Sequence, residues 1–148
     1  SGTLRINGER VCSPVPLVET GIYPGFPTDL QAPLMAVLAG IQGVSRIREK
    51  IFDDRFGSAL QMRKMGAHIE ITGNTAVICG TDTLKGCTTE AGDLRGGAAL
   101  IIAALGAKGE TCIRGTEFIS RGYEHICEDL EALGCRIWQS SGKGNERI

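Results

Sequence analysis

An internal duplication constrains this chain more than any other feature. Phe26-Pro27-Thr28-Asp29-Leu30-Gln31 is echoed by Ala91-Gly92-Asp93-Leu94-Arg95-Gly96, with Asp29 and Leu30 each matched 64 positions on. Downstream, Gly43, Ile47, Phe52 and Arg55 are matched by Gly109, Ile113, Phe118 and Arg121, all 66 on. Met65-Gly66-Ala67-His68-Ile69 then reads like Leu133-Gly134-Cys135-Arg136-Ile137 at an offset of 68, and Leu60 and Leu130 occupy comparable places. An offset that drifts in small steps while residue types persist is that of duplicated units carrying short loop insertions.

Each unit reads as strand, helix, strand, helix, strand, strand. Alternating apolar and polar residues suggest strands at 3–7 and Val15 to Glu19, and the Gly- and Pro-rich run from Gly21 to Pro27 is a stiff connector. A side-chain oxygen of Thr28 or Asp29 is then expected to cap a helix reaching about Gly40, satisfying amides left free at its first turn. Pro33 falls within that first turn, where proline is tolerated. The counterpart helix opens at Asp93 and runs from Leu94 to Ala107. Both helices are apolar almost all round, so they must be buried on every side.

Strands at Val44 to Arg48 and Thr111 to Arg114 each lead through an aromatic and an arginine into an amphipathic helix. The first such helix places Phe56, Leu60 and Met65 on a buried stripe, and the second Tyr123, Ile126, Cys127, Leu130 and Leu133. Gly66 and Gly134 end them. Strands at Ala67 to Ile71, Ala76 to Cys79 and Cys135 to Gln139 follow, with Gly73-Asn74 turning between the first two and a loose tail at 142–145. The expected fold class is α/β (α+β), built of repeated βαβαββ units with mixed sheets packed around buried helices. Unit one covers about 15–80 and unit two about 84–140.

Charge and cysteines narrow the function. A net charge of −1 on 148 residues offers no bulk attraction for nucleic acid. The apolar helices, at about 14 residues, are too short to span a membrane, and with no leader before the first strand a cytoplasmic, unanchored chain is expected. Six cysteines, at 12, 79, 87, 112, 127 and 135, form no Cys-x-x-Cys pair and stand near no histidine cluster, so no metal site or redox motif is expected. Most should be small buried residues. His68, in a strand, and His125, inside a helix, read as surface or packing residues, and no cofactor is indicated.

What remains is the repeated charge pattern. An aspartate at a helix start is by itself a cap, and a lone arginine a solvated charge. Here Asp29, Asp93, Arg55, Arg95 and Arg121 should all lie at one end of the repeated unit, where helix starts favour anions and arginines grip carboxylate or phosphate bidentately.

Five stretches carry a family resemblance: Tyr23-Pro24-Gly25-Phe26-Pro27-Thr28-Asp29-Leu30-Gln31-Ala32, Ile51-Phe52-Asp53-Asp54-Arg55-Phe56, Met65-Gly66-Ala67-His68, Ala91-Gly92-Asp93-Leu94-Arg95 and Ser120-Arg121-Gly122-Tyr123-Glu124. Together, over about residues 20–138, the chain resembles the UDP-N-acetylglucosamine enolpyruvyl transferases. The resemblance implies a fold of two domains, each of three such units, shared with the enolpyruvylshikimate phosphate synthases. It implies transfer of the enolpyruvyl group of phosphoenolpyruvate to the sugar 3′-hydroxyl with release of phosphate, in peptidoglycan synthesis.

By the same resemblance Asp29 contacts the sugar hydroxyl and accepts its proton, and Ile51 makes a backbone contact to the nucleotide sugar. Arg55, Arg95 and Arg121 hold phosphoenolpyruvate or close the cleft on it, and Asp93 assists proton movement. The family also uses a lysine-asparagine pair, further arginines and a mobile loop with a reactive cysteine, none of which matches this chain. The chain therefore corresponds to the C-terminal part of such an enzyme, two of one domain's three units, with half the site. Its partners are the two substrates and the remainder of the enzyme. The uncovered apolar surface favours self-association. A related synthase acting on phosphorylated shikimate is the alternative, against which Phe26-Pro27-Thr28-Asp29 argues; a noncatalytic module of the same fold is the other.

Overall fold

A computed structural model describes residues 13–140. The expected strand at 3–7, Cys12 and the tail at 142–145 lie outside the described residues. In chain order the elements are β1 (Val18–Glu19), α1 (Gln31–Ala39), β2 (Gly43–Arg48), α2 (Gly57–Lys64), β3 (His68–Thr72), β4 (Thr75–Gly80), β5 (Thr88–Glu90), α3 (Leu94–Leu105), β6 (Cys112–Arg114), α4 (Thr116–Ile119) and α5 (Ile126–Ala132). A four-stranded mixed sheet has the order β1-β2-β4-β3, with β1 parallel to β2 and β4 antiparallel to both its neighbours; β5 and β6 form a second, parallel pair.

Period-two alternation aims the sheet. Ser45 and Ile47 of β2, Ile69 of β3, and Ala76 and Ile78 of β4 point inward and are buried. Against them lies α1, with α3 packed in turn on α1; Ala36, Ala39, Ala99 and Ala103 are buried with Met35, Leu38 and Leu100 in the same core. Among their residues only Val37 and Leu105 are exposed. The all-round apolar helices are thus interior elements, and the α/β class with mixed sheets around buried helices is borne out.

The duplication is visible in hydrogen bonding. Glu19 pairs with Arg48 in the β1–β2 register and Glu90 with Arg114 in β5–β6. One residue on, Thr20 N–H donates to the Arg48 carbonyl and Ala91 N–H to the Arg114 carbonyl, both at 2.9 Å. Arg55 lies 4.6 Å above the Phe52 ring, and Arg121 lies 5.3 Å above the Phe118 ring. Gly66 and Gly134 follow α2 and α5 with φ of 91° and 92°, a left-handed conformation that costs a glycine little. Thr20 to Ala91 is a step of 71 where Asp29 to Asp93 is 64, so the first unit has seven additional residues, 21–27, in the connector leading to α1. That connector is closed by Gly21 N–H to the Phe26 carbonyl at 2.9 Å.

Several local expectations are corrected. The stretch 15–19 forms a strand only at Val18–Glu19, although Val15 still donates its amide to Ser45 Oγ. Cys135 to Gln139 forms no strand, because no neighbouring strand among the described residues takes up its backbone groups. The second unit's amphipathic helix is shorter than expected, only α5, with Tyr123 and His125 ahead of it rather than inside it, and the stretch leading into it at Phe118 forms a separate short helix, α4. Leu60 is 58% exposed and Leu133 81%, with Tyr123 also exposed; Ala59 and Met62 face the core in place of Leu60. None of the five described cysteines is buried. On β4, Ala76 and Ile78 take the inward positions and leave Cys79 facing out.

Candidate functional site

Asp29 stands in a single 3-10 turn, Thr28–Leu30, just before α1. The expected cap is absent: no side chain caps this turn or α1, and the turn is closed by Leu30 N–H donating to the Pro27 carbonyl at 3.0 Å. Both polar side chains are committed elsewhere. Asp29 Oδ1 accepts from Arg55 Nη2 at 2.9 Å and Oδ2 from Arg95 Nη2 at 2.8 Å, while the Thr28 hydroxyl donates to Glu49 Oε2 at 2.8 Å. The charged guanidinium donors outcompete backbone amides for the Asp29 oxygens, and the Thr28 hydroxyl is oriented by the carboxylate that accepts from it.

The Asp29 bridge joins the two units, since Arg55 precedes α2 and Arg95 lies in the first turn of α3. The Arg95 hydrogen bond holds the Asp29 carboxyl below its ordinary range; desolvation opposes it, and the charges of Arg95 and Arg55 and the Arg55 hydrogen bond reinforce it. Arg95 is raised in return, first by that same bond. At α3 the aspartate does cap: Asp93 Oδ1 accepts from the backbone N–H groups of Arg95 and Gly96, each at 2.9 Å. The start of α2 has no side-chain cap, so its first-turn amides remain the better anion donors.

These groups line a cleft of about 390 Å³, among them Thr28, Phe52, Arg55, Ser58, Asp93 and Arg95. Ser58 Oγ is buried there without a hydrogen-bond partner. Asp29 is not itself among the lining residues, but its bonds to Arg55 and Arg95 tie it to the cleft, so four residues singled out by sequence stand together: Asp29, Arg55, Asp93 and Arg95. Arg121 does not line the cleft, and its guanidinium rests over Phe118. Ile51 flanks the cleft, its amide donating to Glu49 Oε1 at 2.8 Å. Among the described residues no group of three or more His, Cys, Asp or Glu is placed to hold a metal ion, and no helix is long and apolar enough to cross a membrane.

Sequence reasoning passed over Glu49. Its side chain is buried, 2% exposed, and its two oxygens collect four donors: the Thr20 and Thr28 hydroxyls and the amides of Ile51 and Phe52. A signal was present, because Ser45, Ile47 and Glu49 share the inward parity of β2, and an acid at an inward position needs partners.

The fold agrees with comparisons to known proteins. A structure of the enolpyruvyl transferase NikO from Streptomyces tendae superposes with a TM-score of 0.73 at 31% identity, covering 81% of this chain and 28% of that one. A UDP-N-acetylglucosamine 1-carboxyvinyltransferase of Ruegeria pomeroyi is 47% identical over 125 residues, 84% of this chain and 30% of that protein. One from Desulfofundulus thermocisternus is 43% identical over 137 residues, 93% of this chain and 56% of that protein. The chain thus spans between about a third and just over half of the relatives' length, and the resemblance read from its motifs is borne out. With residues 5–130 matched by the family model described as EPSP synthase (3-phosphoshikimate 1-carboxyvinyltransferase), the chain belongs to that enolpyruvyl transferase family.

Proposed function

We propose that this chain supplies half of a site that transfers the enolpyruvyl group of phosphoenolpyruvate to the 3′-hydroxyl of UDP-N-acetylglucosamine, releasing phosphate, for peptidoglycan synthesis in the cytoplasm. The observation that carries the reading is the Arg55–Asp29–Arg95 bridge, whose two arginines line the cleft, together with relatives bearing that activity in their names. Asp29 takes the proton of the sugar hydroxyl, which requires a base within hydrogen-bond reach. Arg55 and Arg95 then serve the anion. Once phosphoenolpyruvate occupies them, the Asp29 carboxylate loses the partners that hold its proton affinity down and becomes a better base. Fixed cations also meet the charge that develops as phosphate leaves.

The other roles follow the same division. Asp93 fixes the start of α3 and hence Arg95, and assists proton movement from beside it. Arg121 closes on the anion from α4's end, and Ile51 offers its backbone to the nucleotide sugar. Two units of a three-unit domain are present, and the remainder of the enzyme supplies the reactive cysteine, the lysine-asparagine pair and further arginines.

Phosphate release from the two substrates tests this. The 148-residue chain alone should release little or none; turnover near that of a complete enzyme would sink the half-site reading. In a complete enzyme containing the chain, Asp29→Ala should cost about a hundredfold or more in turnover. Unchanged turnover would mean a noncatalytic module. Calorimetric titration of that enzyme with UDP-N-acetylglucosamine against shikimate 3-phosphate should show heat with the nucleotide sugar; the opposite preference would transfer the reading to the shikimate-specific branch.

A further inference from the structure

Glu49 is a buried carboxylate for which the reaction above has no use. It forms no salt bridge among the described residues, so hydrogen bonds alone keep it charged. Oε1 accepts from Thr20 Oγ1 at 2.7 Å, Ile51 N at 2.8 Å and Phe52 N at 3.2 Å; Oε2 accepts from Thr28 Oγ1 at 2.8 Å. The Thr20 hydroxyl already accepts from Lys50 N–H at 2.8 Å, which leaves its own proton for Glu49. The two amides can only donate. An acceptor-only group is what this set of partners demands, and a carboxylate is one. Desolvation pushes the Glu49 carboxyl upward, but the bonds from Thr20, Ile51, Thr28 and Phe52 prevail and hold it below its ordinary range.

Those donors come from three segments: the end of β1, the turn that carries Asp29, and the loop that leads through Phe52 to Arg55. Among the described residues, the hydrogen bond from Thr28 to Glu49 is the one side-chain anchor of the Thr28–Leu30 turn besides those of Asp29 itself. Each arginine gives Asp29 one nitrogen, and an anion that draws the guanidinium groups toward itself loosens that hold. When they turn to the anion, the base needs an anchor from below. We propose that Glu49 is a positioning residue, whose buried carboxylate holds the Thr28–Asp29 turn in register with the Ile51–Phe52 backbone and so keeps Asp29 in place between Arg55 and Arg95 beside the cleft. This rests on the reading of Asp29 as the base.

Carbon-detected magnetic resonance titration of the Asp29 carboxyl in the 148-residue chain, without substrate, tests the tether. Thr28→Val removes one hydroxyl from a half-buried position and keeps the side-chain shape. It should raise the Asp29 pKa toward the ordinary value by about half a unit or more, as geometry with Arg55 and Arg95 loosens. Glu49→Gln should shift it in the same direction, and the double variant should shift it no further than the larger single change, since both cut one link. An Asp29 titration unaltered by Thr28→Val, or single shifts that add in the double variant, would overturn the proposal. Should Glu49→Gln fail to fold, Thr28→Val alone decides. Failure of the transferase reading would look different: no phosphate release from a complete enzyme, with the response of Asp29 to Thr28→Val intact.

Discussion

Asp29 and Glu49 are both held below the ordinary carboxylate range, but one lies at the surface and the other inside, and acid unfolding separates them. A carboxylate with a depressed folded pKa contributes stability that is fully present above its unfolded value, about 4.3 for glutamate, and is lost as pH falls through the folded value. The chain should therefore lose stability below about pH 5, and Glu49→Gln should flatten that loss while lowering stability at pH 7 by about 1–3 kcal/mol. Urea midpoints at neutral and acid pH measure both; a variant as acid-sensitive as the parent contradicts the assignment. Asp29 has a side chain 54% exposed, so solvent screens its two ion pairs and Asp29→Asn should change stability by about 1 kcal/mol or less. Residues of this kind were unequally legible. Asp29, Arg55, Asp93 and Arg95 stand out by type and repeated spacing. The Thr28 cap was misread because a hydroxyl has local and distant partners, and only the fold reveals that a buried carboxylate waits 21 positions away.

Among the elements, α1 and α3 were the most legible, since a helix without a polar face has one place to go. Leu100, 1% exposed in the middle of α3, shows what that placement is worth. Leu100→Ala should destabilise by about 2–5 kcal/mol, the removed side chain leaving a cavity that rigid neighbours only partly close. Leu60→Ala, on the outer face of α2, should change stability by about 0.5 kcal/mol or less. Both are read as shifts of the urea midpoint at constant slope. Comparable losses would mean that α2 packs by the stripe its leucine spacing suggested, rather than by Ala59 and Met62. Spacing of three and four fits two adjacent faces of a short helix, and the larger side chain is not always the inward one. The strand expected at Cys135 to Gln139 failed for another reason: alternation is a property of the segment, whereas a strand exists only with a neighbour.

At the scale of the molecule, the two units differ in how well they are covered. In the first, β3 lies against α2 and β4 against α1, and Met62, Met65, Ile69 and Ile78 are buried together. In the second, no strands among the described residues take the corresponding place against α5, and Leu133 and Trp138 are 81% and 62% exposed. Large apolar side chains left in water at one end of a unit favour association through that end, and two copies of one chain meet most simply about a two-fold axis. Sedimentation velocity on the 148-residue chain should show average mass rising with concentration toward the dimer. Leu133→Lys should return it to monomer, and because that side chain is already in water, the thermal midpoint should shift little. Association that persists in Leu133→Lys would place the contact elsewhere, on the exposed ends of α1 and α3 at Val37 and Leu105. A single monomeric species at all concentrations would mean that the second unit's apolar end is stable in water, and the self-association expected from its uncovered apolar surface would fall.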